Sequence, residues 1–351
     1  MIYKKKYLSV ILIIFIISFL SCSRKKGLNN FISFSGYTMG TFYNIEIVYH
    51  RNSKEFDSEL KIKKIKQDIS DLLLKINHQM SVFEPDSELS CFNSYNKVDW
   101  FTVSLDTAKV IAQSIDVSEK SNGAFDVTVA PIVNLWGFGP KKREYKIPAD
   151  KTIKELKKYV GYKKISVRFS PPSVKKKMPE IFCDLSGIAK GFAVDRVAKY
   201  FDSINIINYL VEIGGEIKVR GKNKDGDLWQ IGIATPTNKP GIQKIISLKN
   251  KSMATSGDYR NYFEQNGFRY SHTIDPRTGK PISHKLASVT VINNSCMYAD
   301  AMATAIDVLG PDKGYDLAVR ENLPVFLIIR GKHGFIEKVS PEFEKVLLIK
   351  K

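Results

Sequence analysis

A short stretch at residues 184–195, Asp-Leu-Ser-Gly-Ile-Ala-Lys-Gly-Phe-Ala-Val-Asp, constrains the fold more than any other segment. The apolar run before it, with Ile181, Phe182 and Leu185, is typical of the end of a buried strand, and from Ile188 the apolar positions recur at helical spacing. The sequence therefore predicts a strand-to-helix junction. Its small residues would leave backbone N–H groups free to bind an anion, with Lys190 at the helix entrance. A tight turn with a solvated lysine fits the same residues.

Strand-like and helix-like segments are mixed along the rest of the chain without a strict βαβ order. Apolar residues at helical spacing predict helices at residues 60–79, 104–121, 153–159, 299–309 and 313–321. Strands are expected within 31–49 and at 164–169, 210–219, 229–234, 244–248, 268–274, 287–292 and 324–329. We find no linker that divides the chain. The expectation is one α+β domain over residues 31–351, with largely antiparallel sheet flanked by helices.

The charge of the chain is strongly basic, with a formal net charge of +18 over 351 residues. The lysines are scattered and no nucleic-acid recognition motif accompanies them. We therefore interpret most of them as solvated surface residues and expect no nucleic-acid partner.

The first residues of the chain resemble a bacterial lipoprotein signal. Three lysines at 4–6 precede a short apolar run at 8–20, which ends in Leu20-Ser21-Cys22, although Phe19 stands where an aliphatic residue is usual. The resemblance implies a signal peptide at 1–22, lipidation (palmitate) at Cys22 and a polar tether at 23–30. It places the protein as a lipoprotein on the periplasmic face of the cell inner membrane. An uncleaved anchor helix is the alternative.

The cysteines after the signal, Cys91, Cys183 and Cys296, are odd in number and show no metal-like spacing. We expect no essential disulfide, and we expect Cys183 and Cys296 to be small buried residues.

Two oxygen-bearing side chains, Asp300 and Thr304, lie four residues apart on a predicted helix that ends at Gly310-Pro311. That spacing places them on one face, and a carboxylate with a hydroxyl is an oxygen ligand set that suits Mg²⁺. A helix cap and a surface contact would explain the same pair. The small residues around them would allow another backbone or a ligand to approach closely.

Nine short motifs carry a family resemblance. In chain order they are Thr38-Met-Gly-Thr41, Phe83-Glu-Pro-Asp-Ser-Glu-Leu-Ser with Phe92-Asn93, Gly123-Ala-Phe-Asp-Val-Thr, Leu135-Trp-Gly-Phe-Gly, Asp184-Leu-Ser-Gly-Ile-Ala-Lys-Gly, Glu212-Ile-Gly-Gly, Ser256-Gly-Asp-Tyr, His272-Thr-Ile-Asp-Pro-Arg-Thr-Gly and Ala299-Asp-Ala-Met-Ala-Thr-Ala. Over residues 35–310 this order resembles the ApbE family of FAD:protein FMN transferases. The resemblance implies a Mg²⁺-dependent enzyme with FAD as substrate, which attaches FMN to a Thr or Ser hydroxyl of a partner protein and releases AMP.

The resemblance also implies a set of site residues. The metal would be held by the Gly187 carbonyl with the side chains of Asp300 and Thr304. The flavin nucleotide would contact Met39, Phe83, Ala124, Phe125, Asp126, Asp184, Lys190, His272 and Thr273. Family members often have Tyr at the position of Phe83, and a Phe keeps the stacking face without the phenolic hydroxyl.

The catalytic roles are assigned to Lys190 and His272. Lys190 would neutralise charge on the pyrophosphate, and His272 would orient or deprotonate the acceptor hydroxyl. A core or loop-capping histidine is the alternative for His272. The implied partners are FAD, the membrane through the lipid anchor, and acceptor subunits of membrane redox complexes (Rnf- or Nqr-like). Two other functions stay open: an FAD pyrophosphatase that gives FMN and AMP, and a non-catalytic FAD-binding lipoprotein.

Overall fold

Eight antiparallel strands form the main sheet of the protein. A computed structural model describes residues 29–50, 59–139, 145, 147–237, 239–259 and 261–348. The signal at 1–22 with Cys22, the tether up to residue 28, and Arg260 lie outside the described residues. The first strand begins at Asn29, within the predicted tether.

The strands, in chain order, are β1 (Asn29–Thr38), β2 (Thr41–His50), β3 (Phe101–Thr102), β4 (Ile165–Phe169), β5 (Pro172–Lys176), β6 (Tyr209–Ile213), β7 (Glu216–Arg220), β8 (Trp229–Ala234), β9 (Ile242–Leu248), β10 (Ser252–Gly257), β11 (Tyr262–Gln265), β12 (Phe268–Ser271), β13 (Ile274–Asp275), β14 (Lys280–Pro281), β15 (Leu286–Asn293), β16 (Val325–Gly331) and β17 (Gly334–Val339). The main sheet has the order β1-β2-β6-β7-β10-β15-β16-β17, and the other described strands form small sheets of two or three strands.

The α-helices are α1 (Glu59–Met80), α2 (Glu88–Ser94), α3 (Leu105–Lys120), α4 (Ala130–Leu135), α5 (Asp150–Leu156), α6 (Ala189–Ser203), α7 (Cys296–Leu309), α8 (Lys313–Arg320) and α9 (Pro341–Leu347). None of the helices in the described ranges has the length and apolar character that crossing a membrane requires. The mixed architecture with a large antiparallel sheet confirms the predicted α+β class.

The main sheet is covered on both faces. Helices α1, α3, α6 and α7 share the larger core with one face, while the β8–β9 hairpin and α9 share a second core with the other. Neighbouring residues of β16 point into different cores, Leu327 into the first and Phe326 and Ile328 into the second. A strand covered on both sides has an apolar run rather than an alternating pattern, and this explains the sequence of β16.

Helix α7 lies at the centre of the larger core because its sequence is almost entirely small or apolar. The hydroxyl of Ser295 caps it by accepting the amide of Tyr298 at 3.3 Å, and Gly310, with φ of 81°, ends it. Its alanines are fully buried and allow close packing against α6, β10 and β15. Because α7 begins at Cys296, Asp300 lies in its second turn.

The predicted strand end at Ile181, Phe182 and Leu185 is wrong. This segment is buried but irregular. The side chain of Asn93 takes the place of a neighbouring strand: its amide donates to the Cys183 carbonyl at 2.8 Å, and its carbonyl oxygen accepts the Cys183 amide at 2.7 Å. A single side chain 90 residues away thus satisfies the backbone that a sheet would otherwise pair.

Two other predictions differ in detail. The strand expected at 210–219 is a hairpin of β6 and β7, because Gly214 and Gly215 have positive φ (62° and 101°) and form a two-residue turn. Ser256, expected in a loop, belongs to the end of β10. Of the cysteines, Cys183 and Cys296 are buried as predicted, and these two and the exposed Cys91 are free.

Candidate functional site

The N-terminus of α6 meets the side of α7 at very short distance. A Cβ on Gly191 would lie only 2.4 Å from the Cys296 carbonyl oxygen and 2.8 Å from Cβ of Asp300. The Ile188 residue that precedes α6 supplies no side-chain cap, and Oδ2 of Asp300 instead accepts the Gly191 amide at 3.0 Å. Gly191 is therefore required by helix packing. It brings the 184–195 stretch next to Asp300 on α7, so the two predicted parts of the site lie together.

Lys190 projects from this helix entrance towards two carboxyl groups. Its Nζ lies 3.3 Å from Oε1 of Glu216 and 3.9 Å from Oδ1 of Asp300. Burial alone would lower the pKa of Lys190, but Asp300 and Glu216 outweigh it and raise that pKa above its usual value. Lys190 is thus held as a cation, and the interpretation as a freely solvated lysine is wrong.

Both carboxyl partners of Lys190 are almost completely buried, each with 3% of its surface exposed. Burial raises the pKa of Glu216 to about 8 although Lys190 opposes the shift, and Oε2 of Glu216 has no hydrogen-bond partner among the described residues. Burial also raises the pKa of Asp300, against the opposing effects of Lys190 and the Gly191 amide. The raised pKa values mean that negative charge on this wall is unfavourable without a counter-ion, so a further cation beside these carboxyl groups would stabilise their ionised forms.

The other two predicted metal ligands lie beside each other. A Cβ added to Gly187 would lie 3.5 Å from Oγ1 of Thr304 and 3.1 Å from the Phe125 ring. The Thr304 hydroxyl is also 3.3 Å from that of Ser256. The structure thus brings Gly187, Asp300 and Thr304 to one place, and their carbonyl, carboxylate and hydroxyl oxygens are the ligand types that suit Mg²⁺.

The predicted flavin contacts at 124–126 and Asp184 form a tightly bonded double turn. Oδ1 of Asp126 accepts the amide and the hydroxyl of Thr128 at 2.9 and 2.6 Å, and Oδ2 accepts the Tyr162 amide at 2.7 Å. Asp184 donates its amide to the Val127 carbonyl at 2.7 Å, and its Oδ1 accepts the Ser186 amide at 2.8 Å. These carboxylates hold the shape of the turn.

His272 is partly buried and fixed by one backbone carbonyl. Its Nδ1 lies 3.0 Å from the Asn261 carbonyl oxygen, which can only accept, so the neutral ring carries its proton on Nδ1 and leaves Nε2 free to accept one. Burial lowers the pKa of His272, although the Asn261 carbonyl opposes the shift. The ring is therefore neutral at neutral pH, the state that a base requires.

Asp307 was not identified from the sequence. It is hydrogen-bonded to Thr273, the residue that follows this histidine in the chain. The Thr273 hydroxyl donates to Oδ2 of Asp307 at 3.2 Å, while Oδ1 is buried without a hydrogen-bond partner among the described residues. Burial and the nearby Asp258 raise the pKa of Asp307 to about 7. It shares the face of α7 with Asp300 and Thr304, at helical spacing that the sequence already displays.

Two adjoining cavities collect the predicted residues. One, of about 590 Å³, is lined by Met39 and the exposed ring of Phe83. The other, of about 360 Å³, is lined by the remaining predicted flavin and metal residues: Ala124, Phe125, Asp126, Asp184, Gly187, His272, Thr273, Asp300 and Thr304. Lys190 and Ser186 line both cavities and therefore stand at their junction.

Glu216 and Ser256 also line the second cavity but were missing from the predicted set. Glu216 closes the Glu-Ile-Gly-Gly-Glu run, so a signal was present in the sequence. Its role could be recognised only once the β6–β7 hairpin was known, because the hairpin carries its carboxyl group back to Lys190.

Comparison with known proteins is consistent with this arrangement. The model of the ApbE family matches residues 39–327, which is most of the chain and spans both cavities. The chain belongs to the ApbE family. Because its relatives at 36–43% identity are transferases over most of the chain, it is an enzyme of the transferase class.

Among ApbE relatives, the FAD:protein FMN transferase of Haemophilus influenzae is 43% identical over 348 residues, covering 98% of each chain. That of Vibrio cholerae is 43% identical over 317 residues, covering 90% of this chain and 92% of the relative. The solved structure of the flavin transferase ApbE from Vibrio cholerae has a TM-score of 0.83 at 41% identity and covers 91% of this chain and 100% of its own. The apo flavinyl transferase of Pseudomonas stutzeri also has a TM-score of 0.83, at 34% identity, covering 92% and 98%.

Proposed function

We propose that this protein is a Mg²⁺-dependent FAD:protein FMN transferase. The hydroxyl oxygen of a Thr or Ser on a partner protein attacks the FMN phosphorus of FAD, the pyrophosphate P–O bond breaks, and AMP leaves. The observation that carries the proposal is the position of Lys190 at the junction of two cavities. FAD has a ring system at each end and the pyrophosphate between them, so a fixed cation at the junction suits the bond to be broken.

The wall beside Lys190 fits a divalent cation. Asp300, Thr304 and the carbonyl of Gly187 would hold it, because they offer oxygen ligands at a place where Lys190 is the single cation paired with Asp300 and Glu216 among the described residues. When bound, Mg²⁺ would neutralise charge on the phosphate oxygens. Lys190 supplies the second positive charge, and its two carboxyl partners hold it in one orientation.

At the acceptor end, His272 is suited to take the proton of the attacking hydroxyl. Its Nδ1 is directed to the Asn261 carbonyl, so Nε2 is the basic nitrogen, and its lowered pKa keeps it unprotonated at neutral pH. In the first cavity, the exposed ring of Phe83 offers a face for stacking an aromatic ring system.

We further propose that the acceptors are subunits of membrane redox complexes and that Cys22 anchors the protein to the periplasmic face of the inner membrane. The lipoprotein-like N-terminal segment supports this location. An anchor of that kind would keep the enzyme and a membrane-embedded acceptor at one membrane surface. Attachment of the enzyme is stable when a second membrane contact, such as another acyl chain, adds to the first lipid chain.

One reaction tests the proposed activity. The protein is incubated with FAD, Mg²⁺ and a candidate acceptor, and mass spectrometry measures both AMP and the mass of the acceptor. We expect an acceptor gain equal to FMN together with AMP. AMP without any acceptor gain, in a reaction that also proceeds without acceptor, would identify an FAD pyrophosphatase instead. Bound FAD with no AMP under any divalent metal would identify a binding protein.

The role of His272 is tested by the pH profile of the transfer rate. Because the pKa of His272 is lowered below 6.5, the rate should be flat above that pH and fall as the ring becomes protonated at lower pH. His272→Ala should slow transfer by about 10² or more and remove this limb of the profile. An unchanged rate in His272→Ala would show that the ring only caps its loop.

A further inference from the structure

Glu216 has a carboxyl group to which the proposed mechanism gives no role beyond contact with Lys190. It begins β7, directly after the Gly214-Gly215 turn, and only 3% of its surface is exposed. One oxygen lies 3.3 Å from Nζ of Lys190, and the other has no hydrogen-bond partner among the described residues. Placing a carboxyl group in such surroundings is unfavourable for folding, so its position calls for a role at the site.

The geometry around Lys190 indicates that role. Asp300 is held in place because its Oδ2 accepts the Gly191 amide, and its Oδ1 is 3.9 Å from the lysine ammonium. The lysine stem packs on the β6–β7 turn, where a Cβ on Gly214 would lie 3.2 Å from Cδ of Lys190. The ammonium therefore lies between two buried carboxyl groups and is closer to Glu216.

An ammonium on Asp300 would compete with a divalent cation for the same oxygen. Charges interact strongly in this buried region. The lysine therefore needs another carboxylate partner before Oδ1 of Asp300 is available to a metal. Glu216 is the carboxyl group within reach of Lys190 besides Asp300 among the described residues. Without Glu216, a metal bound to Asp300 would leave the Lys190 ammonium close to a divalent cation and without a carboxylate of its own.

We propose that Glu216 is a positioning residue that draws the Lys190 ammonium away from Asp300 and so keeps Oδ1 of Asp300 open to a divalent cation. This inference rests on the metal site of the proposed function. It concerns metal affinity rather than the chemical step, and it can therefore be tested without FAD or an acceptor.

A simpler explanation is that any negative charge nearby strengthens metal binding. Glu212 provides a matched control. It is partly buried on β6 and lies near Glu46, whereas its neighbour Ile213 pairs with Glu216. Successive residues of a strand point to opposite faces, so Glu212 faces away from Lys190. Glu212→Gln therefore removes one charge from the same hairpin without changing the partner of the lysine.

The experiment measures Mg²⁺ affinity by titration calorimetry for the full chain and its variants, with Mg²⁺ alone as the probe. Working well above pH 8 favours the ionised carboxyl group of Glu216 in the wild type, because burial raises its pKa. We expect Glu216→Gln to bind Mg²⁺ about tenfold more weakly than wild type, because this carboxyl group contacts Lys190. Glu212→Gln should stay within about twofold of wild type, because a charge further from the site is screened.

A double-mutant cycle with Lys190→Met separates positioning from simple charge. If Glu216 acts through Lys190, removing the ammonium should restore Mg²⁺ affinity in the Glu216→Gln background by about tenfold more than it changes wild-type affinity. Equal factors in both backgrounds would overturn the inference. Thermal denaturation checks that each variant is folded. If Lys190→Met does not fold, the comparison of Glu216→Gln with Glu212→Gln decides.

The failures of the two proposals are distinguishable. A wild-type protein that binds Mg²⁺, with a Glu216→Gln variant of equal affinity, would overturn the role of Glu216 and leave the proposed function intact. A wild-type protein that shows no Mg²⁺ binding, with or without FAD, would overturn the metal site itself and the inference with it.

Discussion

Asp126 and Glu216 line the same cavity, yet their carboxyl oxygens have different partners. Both oxygens of Asp126 accept hydrogen bonds from Thr128 and Tyr162, and Asp184 beside it bonds to Ser186. We call residues 124–128 and 184–186 the turn wall. The carboxyl wall consists of Glu216, Asp300, Thr304 and Asp307. There, Glu216 and Asp307 each keep one buried oxygen without a partner in the described part of the chain.

The difference separates residues that shape a site from residues that take part in it. A carboxylate whose hydrogen bonds all go to its own chain has little capacity left for a ligand, and its loss is felt as a loss of stability. A buried carboxyl group with an unused oxygen raises the energy of the free protein and gains from a ligand that satisfies it. We therefore expect substitutions in the carboxyl wall to affect activity and those in the turn wall to affect folding.

The largest expected effect is that of Asp300→Ala. It removes the carboxylate of the proposed metal site and the charge that faces Lys190, and such an electrostatic loss of several kcal/mol should lower the rate of Mg²⁺-dependent FAD cleavage by about 10³ or more. AMP release measured by chromatography at saturating FAD provides the check. Activity within tenfold of wild type would place the metal elsewhere.

A control is needed because Asp300 also caps α6. Ser295→Ala removes the side-chain cap of α7, and Ser295 itself lines neither cavity. A lost cap destabilises by about 1 kcal/mol in either helix. Ser295→Ala should therefore lower the melting temperature to a similar degree as Asp300→Ala and leave the cleavage rate nearly unchanged. Equal losses of activity in the two variants would attribute the Asp300 effect to folding.

A smaller effect, of another kind, is expected for Asp126→Ala in the turn wall. The change leaves the buried amide of Thr128 and the partly buried amide of Tyr162 without their acceptor, and this should lower the free energy of unfolding by about 3 kcal/mol. Urea unfolding measures this loss. The rate per folded molecule should stay within about threefold of wild type, since the backbone of the turn still lines the cavity.

Asp126→Asn is the matched variant, because it keeps one acceptor oxygen and should recover part of the stability. A stable Asp126→Ala protein that has lost FAD binding would reverse our interpretation. It would make the Asp126 side chain a direct ligand contact, as the family resemblance implied.

The two walls were not equally accessible to prediction from sequence. Helix α7 has a cap, a glycine end and continuous small residues, so its position and the shared face of Asp300 and Thr304 followed from local rules. The irregular segment at 181–185 did not, because the side chain of Asn93 supplies its hydrogen bonds from 90 residues away. Periodicity describes what a segment buries, not which distant group satisfies its backbone.

The site residues that were missed from the sequence also differ in how far local rules could have found them. Asp307 repeats the helical spacing of Asp300 and Thr304 and could have been found from that spacing alone. Glu216 could not, since its pairing with Lys190 depends on the two-residue turn at Gly214-Gly215 and on the docking of β7 beside α6. Residues that act through a neighbour in space therefore need the fold before they can be assigned.

The smallest expected effect concerns Asp307 and the dependence of stability on pH. Burial and the nearby Asp258 raise its pKa to about 7, while Thr273 and Arg330 oppose the shift, and the His284 ring is bonded to its carbonyl. An acid whose pKa is raised on folding stabilises the protein most below its unfolded pKa of about 4, and this contribution is lost as pH rises to about 7.

Asp307→Asn keeps an acceptor for Thr273 and removes the ionisation. Between pH 5 and 8 the wild type should therefore lose about 2 kcal/mol more stability than Asp307→Asn, measured by urea unfolding at each pH. Parallel curves for the two proteins would show that a ligand or solvent already satisfies Oδ1 of Asp307, and Asp307 would then behave as a residue of the turn wall.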